Sequence, residues 1–518
     1  MVSWKLPDDE QAEFIEQLRK SRPQIDLDSA AGLDDLPDES LFANIEVLAD
    51  RIQRAMYANE PLVIFGHDDP DGVTGTYILH DFFNSVGYQK HEYYIPNRNL
   101  WPHGIQDDFV EYVRQNGFTL AIVVDNGISS REGVERLKSL GCDTLIVDHH
   151  LIQPQQLPDA FGIMNPRLPQ CRYPFKDLAG VGVALMLIRH LGKLLEHEVS
   201  ESAYFWTAVG SIADKVPMVG INRIILRYVI ENWPLMRDPS IDFLLRNFKR
   251  LNDEMDIFDF ISNTSRLIAN GREAGGQHMA MRFLLQMGDE KAQLFEALEQ
   301  EKRQWESELN RIFGYLNTIL ADFEARAFIY FDDEDIIPYN FLGTASTYVV
   351  SSLNIPAIMI KYHNDNMVCE GRCPDGFNMV DAFAHCKEHL IQYGGHAKAA
   401  GFSMQPEQYD DFLSCYNEYL DLNLKSVEPP PRFEVDAVIR LEDLHFANWQ
   451  NLLKLLPYGI HNPEPLLLAR GVDVNTLMSK MTLEYNNINL PRGKKIDMVF
   501  HWRNRQSVRV MDYVLREP

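Results

Sequence analysis

"LIVDHHLI", residues 145–152, sets an apolar run of strand character against one aspartate and two adjacent histidines. The same design recurs along the chain. "PLVIFG" (61–66), "TLAIVVD" (119–125), "DTLIVD" (143–148) and "FGIMNP" (161–166) are short apolar runs, each closed by polar, glycine or proline residues. Amphipathic stretches such as "TGTYILHDFFNSVG" (74–87) and "SSREGVERLKSLG" (129–141) lie between them. Strands alternating with helical periods imply an α/β fold built on a parallel sheet. Three of the runs end in ionisable groups. "FGHDDPDGVTG" supplies His67, Asp68, Asp69 and Asp71; "VVDNGISS" supplies Asp125; the opening stretch supplies Asp148, His149 and His150. In an open parallel sheet the carboxyl ends of the strands border one crevice, so these groups are expected to meet there.

A chain of 518 residues, 45% hydrophobic and 24% charged, has room for two to four domains at about 100–200 residues each. Residues 1–50 ("DLDSAAGLDDLPDES" at 26–40) read as an acidic N-terminal extension. Residues 51–320 hold the strand-helix core, a helical part and a long connector helix. Residues 321–425 form a second α/β unit, opening with "AFIYFDD" (327–333) and "IPAIMIKY" (355–362). The prolines of "SVEPPPRF" (426–433) remove donors and fix φ, which places a boundary there. Beyond it, "LLLARGVDV", "KIDMVFHW" and "SVRVMDYVL" alternate as the strands of a small antiparallel barrel do.

The formal charge of −26 counts against nucleic acid spread over the whole surface, since phosphate must be met by Lys and Arg. Part of that charge sits in aspartates suited to cations, and a local basic groove is compatible with it. No signal-like N-terminus and no apolar run near the roughly 20 residues of a membrane helix are present, so the expectation is a cytoplasmic protein with no membrane partner. Six cysteines without a dense framework suit free thiols. Cys369 and Cys373 with His385, Cys386 and His389 follow no standard closed zinc spacing.

A lone strand-end aspartate is commonly a helix cap or turn former, but three coincident strand ends are a different matter. Carboxylates brought together repel unless cations neutralise them, and oxygen ligands mixed with imidazole suit Mn²⁺ or Mg²⁺. Two such ions would activate a water and hold the attacking and leaving oxygens of a phosphoryl displacement. Metal-assisted phosphodiester hydrolysis is the chemistry that follows. Asp68, alternating away from its neighbours, is left out of the ligand set.

"DPDG" (69–72), "VDNG" (124–127), "VDHH" (147–150) and "GSIADKVPM" (210–218) resemble, in order, the four motifs of the DHH phosphoesterase family. "QYGGHAKAAGFSM" (392–404) resembles the glycine-glycine-histidine motif of the DHH-associated domain. "LAGVGVALML" (178–187), "LIANGREAGGQ" (267–277) and "LPYGIHNPEPLLLARGV" (456–472) are similar to RecJ-type single-strand exonucleases, the last falling in their OB-fold domain. The resemblance implies two Mn²⁺ (or Mg²⁺) ions held by Asp69, Asp71, Asp125, His149 and Asp214, with Asp148 and His150 as ligands or supports. His67 stands where these proteins usually carry another aspartate. It implies catalytic roles for His149, Asp214 and His396, and substrate contacts from Arg272, Arg372, Gly394, Gly395 and His396. Glu370 replaces a serine that often accompanies the second arginine in a pocket for the 5′ phosphate.

The function implied is a metal-dependent exonuclease acting on single-stranded nucleic acid, DNA before RNA, in the 5′-to-3′ direction. It would release mononucleotides in DNA repair or recombination, beside single-strand-binding or replication and repair proteins. Hydrolysis of short oligonucleotides or cyclic dinucleotides, and a non-catalytic replication or repair scaffold, are the alternatives. In the last domain Arg492, Lys494, Lys495, Arg503 and Arg505 are candidates for neutralising a single strand and Tyr485 and Trp502 for stacking on it, although aromatics in a small barrel are usually core.

Overall fold

The apolar runs become strands of one sheet. The computed structural model describes residues 4–28, 32–97, 104–152, 157–248, 251–321, 323–363, 365–424, 433–484 and 488–516. After a short β1 (Trp4–Lys5), the strands β2 (Leu62–Phe65), β3 (His91–Tyr94), β4 (Leu120–Val124), β5 (Asp143–Val147) and β6 (Gly162–Met164) pair in parallel in the order β3-β2-β4-β5-β6. β2 and β4 are buried along their whole length. Continuous Val/Ile/Leu runs are what a sheet covered on both faces demands. Helices Pro70–Ser85, Gly180–Leu195 and Glu201–Ala213 pack on one another beside it. The strand order reverses at β2, with β3 on one side and β4 on the other. That reversal opens a crevice at the carboxyl ends of β2 and β4.

The chain divides into two compact units, Met1–Lys302 with Phe433–Pro518, and Arg303–Arg432. The division falls inside the helix Gly288–Leu320, which is preceded by a separate helix, Met279–Leu285. In the second unit β7 (Phe328–Asp332), β8 (Ala357–His363), β9 (Asn366–Arg372), β10 (Gln392–His396) and β11 (Ala399–Met404) form a mixed sheet in the order β10-β11-β9-β8-β7. β12 (Phe433–Glu434) then returns the chain to the first unit by pairing with β1.

β13 (Ala437–Val438), β14 (Leu467–Asp473), β15 (Thr482–Leu483), β16 (Lys495–Asn504) and β17 (Ser507–Leu515) make a five-stranded sheet in the order β13-β14-β16-β17-β15. Among the described residues its end strands do not pair, so the barrel is open. Helix Val474–Lys480 fills the stretch after β14, where the strand pattern alone gives no helix. The candidate strand-binding residues here separate by burial. Trp502 is core, 1% exposed and packed on Trp449 at 5.2 Å. Arg503 is spent on Glu464 (2.7 Å), Glu484 (3.4 Å) and Asp259 (3.8 Å). Trp502 thus follows the core reading usual for an aromatic in a small barrel, whereas Arg503 is not available to a ligand as expected, because local spacing does not reveal its acidic partners. Arg492, Lys494 and Lys495 are exposed, Arg505 lies over the ring of Phe446, and Tyr485 falls outside the described residues.

A second correction concerns cysteine. Cys386 and Cys415 form a disulfide, with Cα atoms 5.8 Å apart, where free thiols were expected. The packing of helix Met379–His385 against helix Tyr409–Asn423 brings together two cysteines 29 residues apart, which no short-range spacing announces.

The N-terminal segment is integrated rather than appended. Arg22, 4% exposed, donates from Nε and Nη2 to both carboxylate oxygens of Asp436 at 2.9 Å, and from Nη1 to Asn462 Oδ1 (2.8 Å) and Pro463 O (2.6 Å). Removing the guanidinium leaves the largely buried Asp436 carboxylate without its counter-charge, held by the Leu466 N–H at 2.9 Å, a loss of about 3 kcal/mol. Arg22→Met is therefore expected to lower the denaturant midpoint of the first unit, read by tryptophan fluorescence; a midpoint equal to wild type contradicts it.

Candidate metal centre

The first group of side chains is built by a turn that only glycine permits. A Cβ on Gly72 would lie 2.5 Å from the backbone N and O of His67, so the loop after β2 folds tightly over the start of helix Pro70–Ser85. Asp69 caps that helix through Gly72 N at 3.0 Å and presents its other oxygen to His67 Nδ1 at 2.9 Å. Asp71, in the first turn, is 1% exposed. Its carboxylate accepts from Gly180 N (2.6 Å) and Val181 N (2.7 Å), the free N–H groups at the start of helix Gly180–Leu195. A Cβ on Gly180 would lie 2.5 Å from that of Asp125, so a side chain there would push the helix off the site. That is the physical reason for glycine in "LAGVGVALML".

Asp125 follows β4 with φ +54°, a left-handed backbone that the surrounding sheet holds in place. Asp148 follows β5 and is fully buried. Its Oδ2 accepts from Ile128 N (3.0 Å), and its Oδ1 accepts from His149 N (2.7 Å) and His150 N (3.1 Å) and contacts His150 Nδ1 (2.7 Å). Its acceptors shape the histidine turn rather than pointing into the crevice. His149 Nε2 lies 3.2 Å from Asp125, 3.7 Å from Asp214 and 3.8 Å from Asp71, buried and with no hydrogen bond.

Three sets of converging ligand atoms result: His67, Asp69 and Asp125; Asp71, His149 and Asp214; and Asp125, His149 and His150. Asp125 and His149 each belong to two of them, so the sets adjoin. Asp148 belongs to none among the described residues.

Burial, followed by the charges of Asp71, Asp69, Asp148 and Asp214, pushes the Asp125 carboxyl far above its ordinary range. Burial and then Asp71 and Asp69 push Asp214 up to about 8, and burial raises Asp71. Burial lowers His149, favouring the neutral imidazole that ligates metal. Burial alone would raise Asp148, yet the bond and charge of His150 hold it down at about 2, and His150 rises to about 9 through the same bond. Crowded oxygens facing an unbonded imidazole nitrogen fit hard or borderline divalent cations.

Two contributors were not singled out from sequence. Asn165 Nδ2 donates to His150 O and Arg167 Nε to His149 O, both at 3.1 Å, while Asp177 pins the Arg167 guanidinium at 2.7 Å. They follow β6, a fourth end of the same sheet, and the strand-end rule applied to "FGIMNP" finds them. Arg272 Nε donates to the buried Asp68 Oδ2 at 3.0 Å, bracing the loop after β2 from behind.

The remaining expected residues lie in the second unit. Strand register places His396 opposite Ala399 and Ala399 opposite Arg372; two residues along, on the same face, the row runs Gly394, Gly401, Glu370. Gly395 has φ +133°, and a Cβ there would lie 2.4 Å from Ala399 O, so this position requires glycine. Arg372 Nη1 donates to Glu370 Oε2 at 3.0 Å.

With its folded value above the free one, Asp214 is easier to ionise in the unfolded chain, so the cation-free fold loses stability as pH rises from about 4 to 8. Asp214→Asn is expected to raise the melting temperature of EDTA-treated protein by about 2–4 °C at pH 8 and negligibly at pH 4. Scanning fluorimetry reads this, and equal shifts at both pH values contradict it.

Residues 61–208 match the model of the DHH family, N-terminal domain. The single-stranded-DNA-specific exonuclease RecJ of Bacillus subtilis is 29% identical over 479 residues, covering 88% of this chain. This chain spans 59% of that relative's length. The Haemophilus influenzae protein of the same description is 28% identical over 473 residues, 85% of this chain and 81% of its own. The fold matches that of RecJ from Thermus thermophilus in complex with Mn²⁺, with a TM-score of 0.72 at 22% identity, over 100% of this chain and 80% of the other.

Proposed function

We propose that this chain, whose residues 61–208 match the model of the DHH family, is a cation-dependent exonuclease of single-stranded DNA, working 5′ to 3′. The observation that carries the reading is the meeting of Asp71, Asp125, His149 and Asp214, from four sequence segments, at the crevice where the strand order reverses. Exonucleases of this description in Bacillus and Haemophilus support the substrate class.

His67, Asp69, Asp71, Asp125, His149 and Asp214 would hold two divalent cations, manganese first given the solved Mn²⁺ complex of the Thermus protein. When bound, such ions supply an activated water and neutralise charge on the transferring phosphoryl group. The chain's own groups do the rest. Gly180 N and Val181 N fix the Asp71 oxygens. Asp148, Asn165 and Arg167 hold the backbone of the histidine turn and so aim His149 Nε2. His396 and Arg372 bind phosphate oxygens of the strand, and Gly394 and Gly395 let it approach the backbone. Water adds to phosphorus, the P–O3′ bond breaks, and a 5′-mononucleotide leaves. No helix among the described residues is long and apolar enough to cross a membrane. A cytoplasmic setting beside single-strand-binding and repair proteins completes the proposal.

Time courses on 5′- and 3′-labelled single-stranded DNA and RNA with Mn²⁺ test it. Mononucleotides released first from the 5′ end of DNA are expected, with His149→Ala slower by at least about 10³-fold, as for loss of a group acting in the transition state. Release from the 3′ end, faster RNA turnover, or cleavage confined to dinucleotides overturns it.

A further inference from the structure

A cavity of 330 Å³ opens on the sheet of the second unit, with Tyr339, Glu370, Gln392, Gly394, Gly401 and Ser403 in its wall. Glu370 is the one charged residue lining it among those described. An acidic oxygen in the wall favours a neutral group that donates hydrogen bonds.

The floor is bare backbone. Gly394, Gly401 and Glu370 stand in one cross-strand row over β10, β11 and β9. A Cβ on Gly394 would meet nothing within 4 Å, whereas one on Gly401 would lie 3.3 Å from Glu370 Oε1. Arg372 holds the other oxygen, Oε2, at 3.0 Å, and so fixes the carboxylate with Oε1 turned to the glycine floor. Tyr339, 49% exposed, stacks on His363 at 4.3 Å between ring centres and 10° between planes. A planar ligand against Tyr339 would extend an aromatic stack already begun.

We propose that this cavity holds a nucleobase bearing an exocyclic amino group, whose N–H donates to Glu370 Oε1 while Tyr339 supports the ring. The inference rests on the nuclease reading and deepens it by assigning a base preference to the strand. Cytosine presents an amino group where uracil presents a carbonyl, and a carbonyl would set one acceptor against another. Adenine and guanine also carry the amino donor. A site built to pair with a donor rejects a ligand that lacks it.

Oligo-dC and oligo-dU of equal length differ only along that edge, in the group on C4 and in the proton on N3. Their affinities for the full chain are measured by fluorescence anisotropy in EDTA, where turnover stops. The wild type is expected to hold oligo-dC at least about tenfold tighter, the scale of one charge-assisted hydrogen bond. Glu370→Gln should bring the ratio near unity, since an amide offers either an acceptor or a donor. Tyr339→Ala should weaken both strands alike and leave the ratio. Equal wild-type affinities, or an unchanged ratio in Glu370→Gln, overturn the base preference alone. Binding of neither strand overturns the nuclease reading with it.

Discussion

A buried carboxylate at the start of a helix organises the first unit. Asp71 accepts two backbone N–H groups from the helix Gly180–Leu195, and those groups have no partner within their own helix. The contact settles where that helix starts, which in turn demands glycine against Asp125. A shift of the helix would orphan a carboxylate in a water-poor crevice and move Asp125 with it. Position and charge are therefore fixed together: the site is shaped before any cation arrives, and the repulsion among its acids is retained as affinity for one.

The division of labour among the motif residues follows from where each finds its hydrogen bonds. Asp148 and His150 form a bonded pair, with the acid held low and the base held high, and this pair spends its polarity on the turn. Asp125 and His149 lack that satisfaction and face one another. Adjacent letters in one motif thus have opposite roles, one fixing the backbone and the other offering its atoms to the crevice. Asp68 shows the same logic: it sits between candidate ligands in sequence, but Arg272 takes it on the far side.

Much of this was legible in the chain. Fully apolar runs closed by charge gave the parallel sheet, and the rule for strand ends gave the gathering of Asp71, Asp125 and His149 without a contact map. The meeting of Asp214 with them came through resemblance, because a helix C-terminus carries no comparable periodic signal. What escaped depends on long-range packing. Arg503 looks like a ligand-binding residue until its acidic partners are packed around it, and Cys386 finds Cys415 only once two helices are packed. Asn165 and Arg167 escaped for a lesser reason, being neutral or basic at a position where acidity drew the eye.

The return of the chain through β12 has a consequence for biogenesis. β1 pairs with β12, and Arg22 is neutralised by Asp436, so these residues wait for partners 414 residues or more further along the chain. The second unit has no such dependence, since its sequence is continuous, and a domain of that kind generally folds as it emerges. Until residues 433–436 have been made the nascent first unit holds an uncovered edge and an unpaired arginine, which marks that interval as the period when a chaperone matters most to this protein.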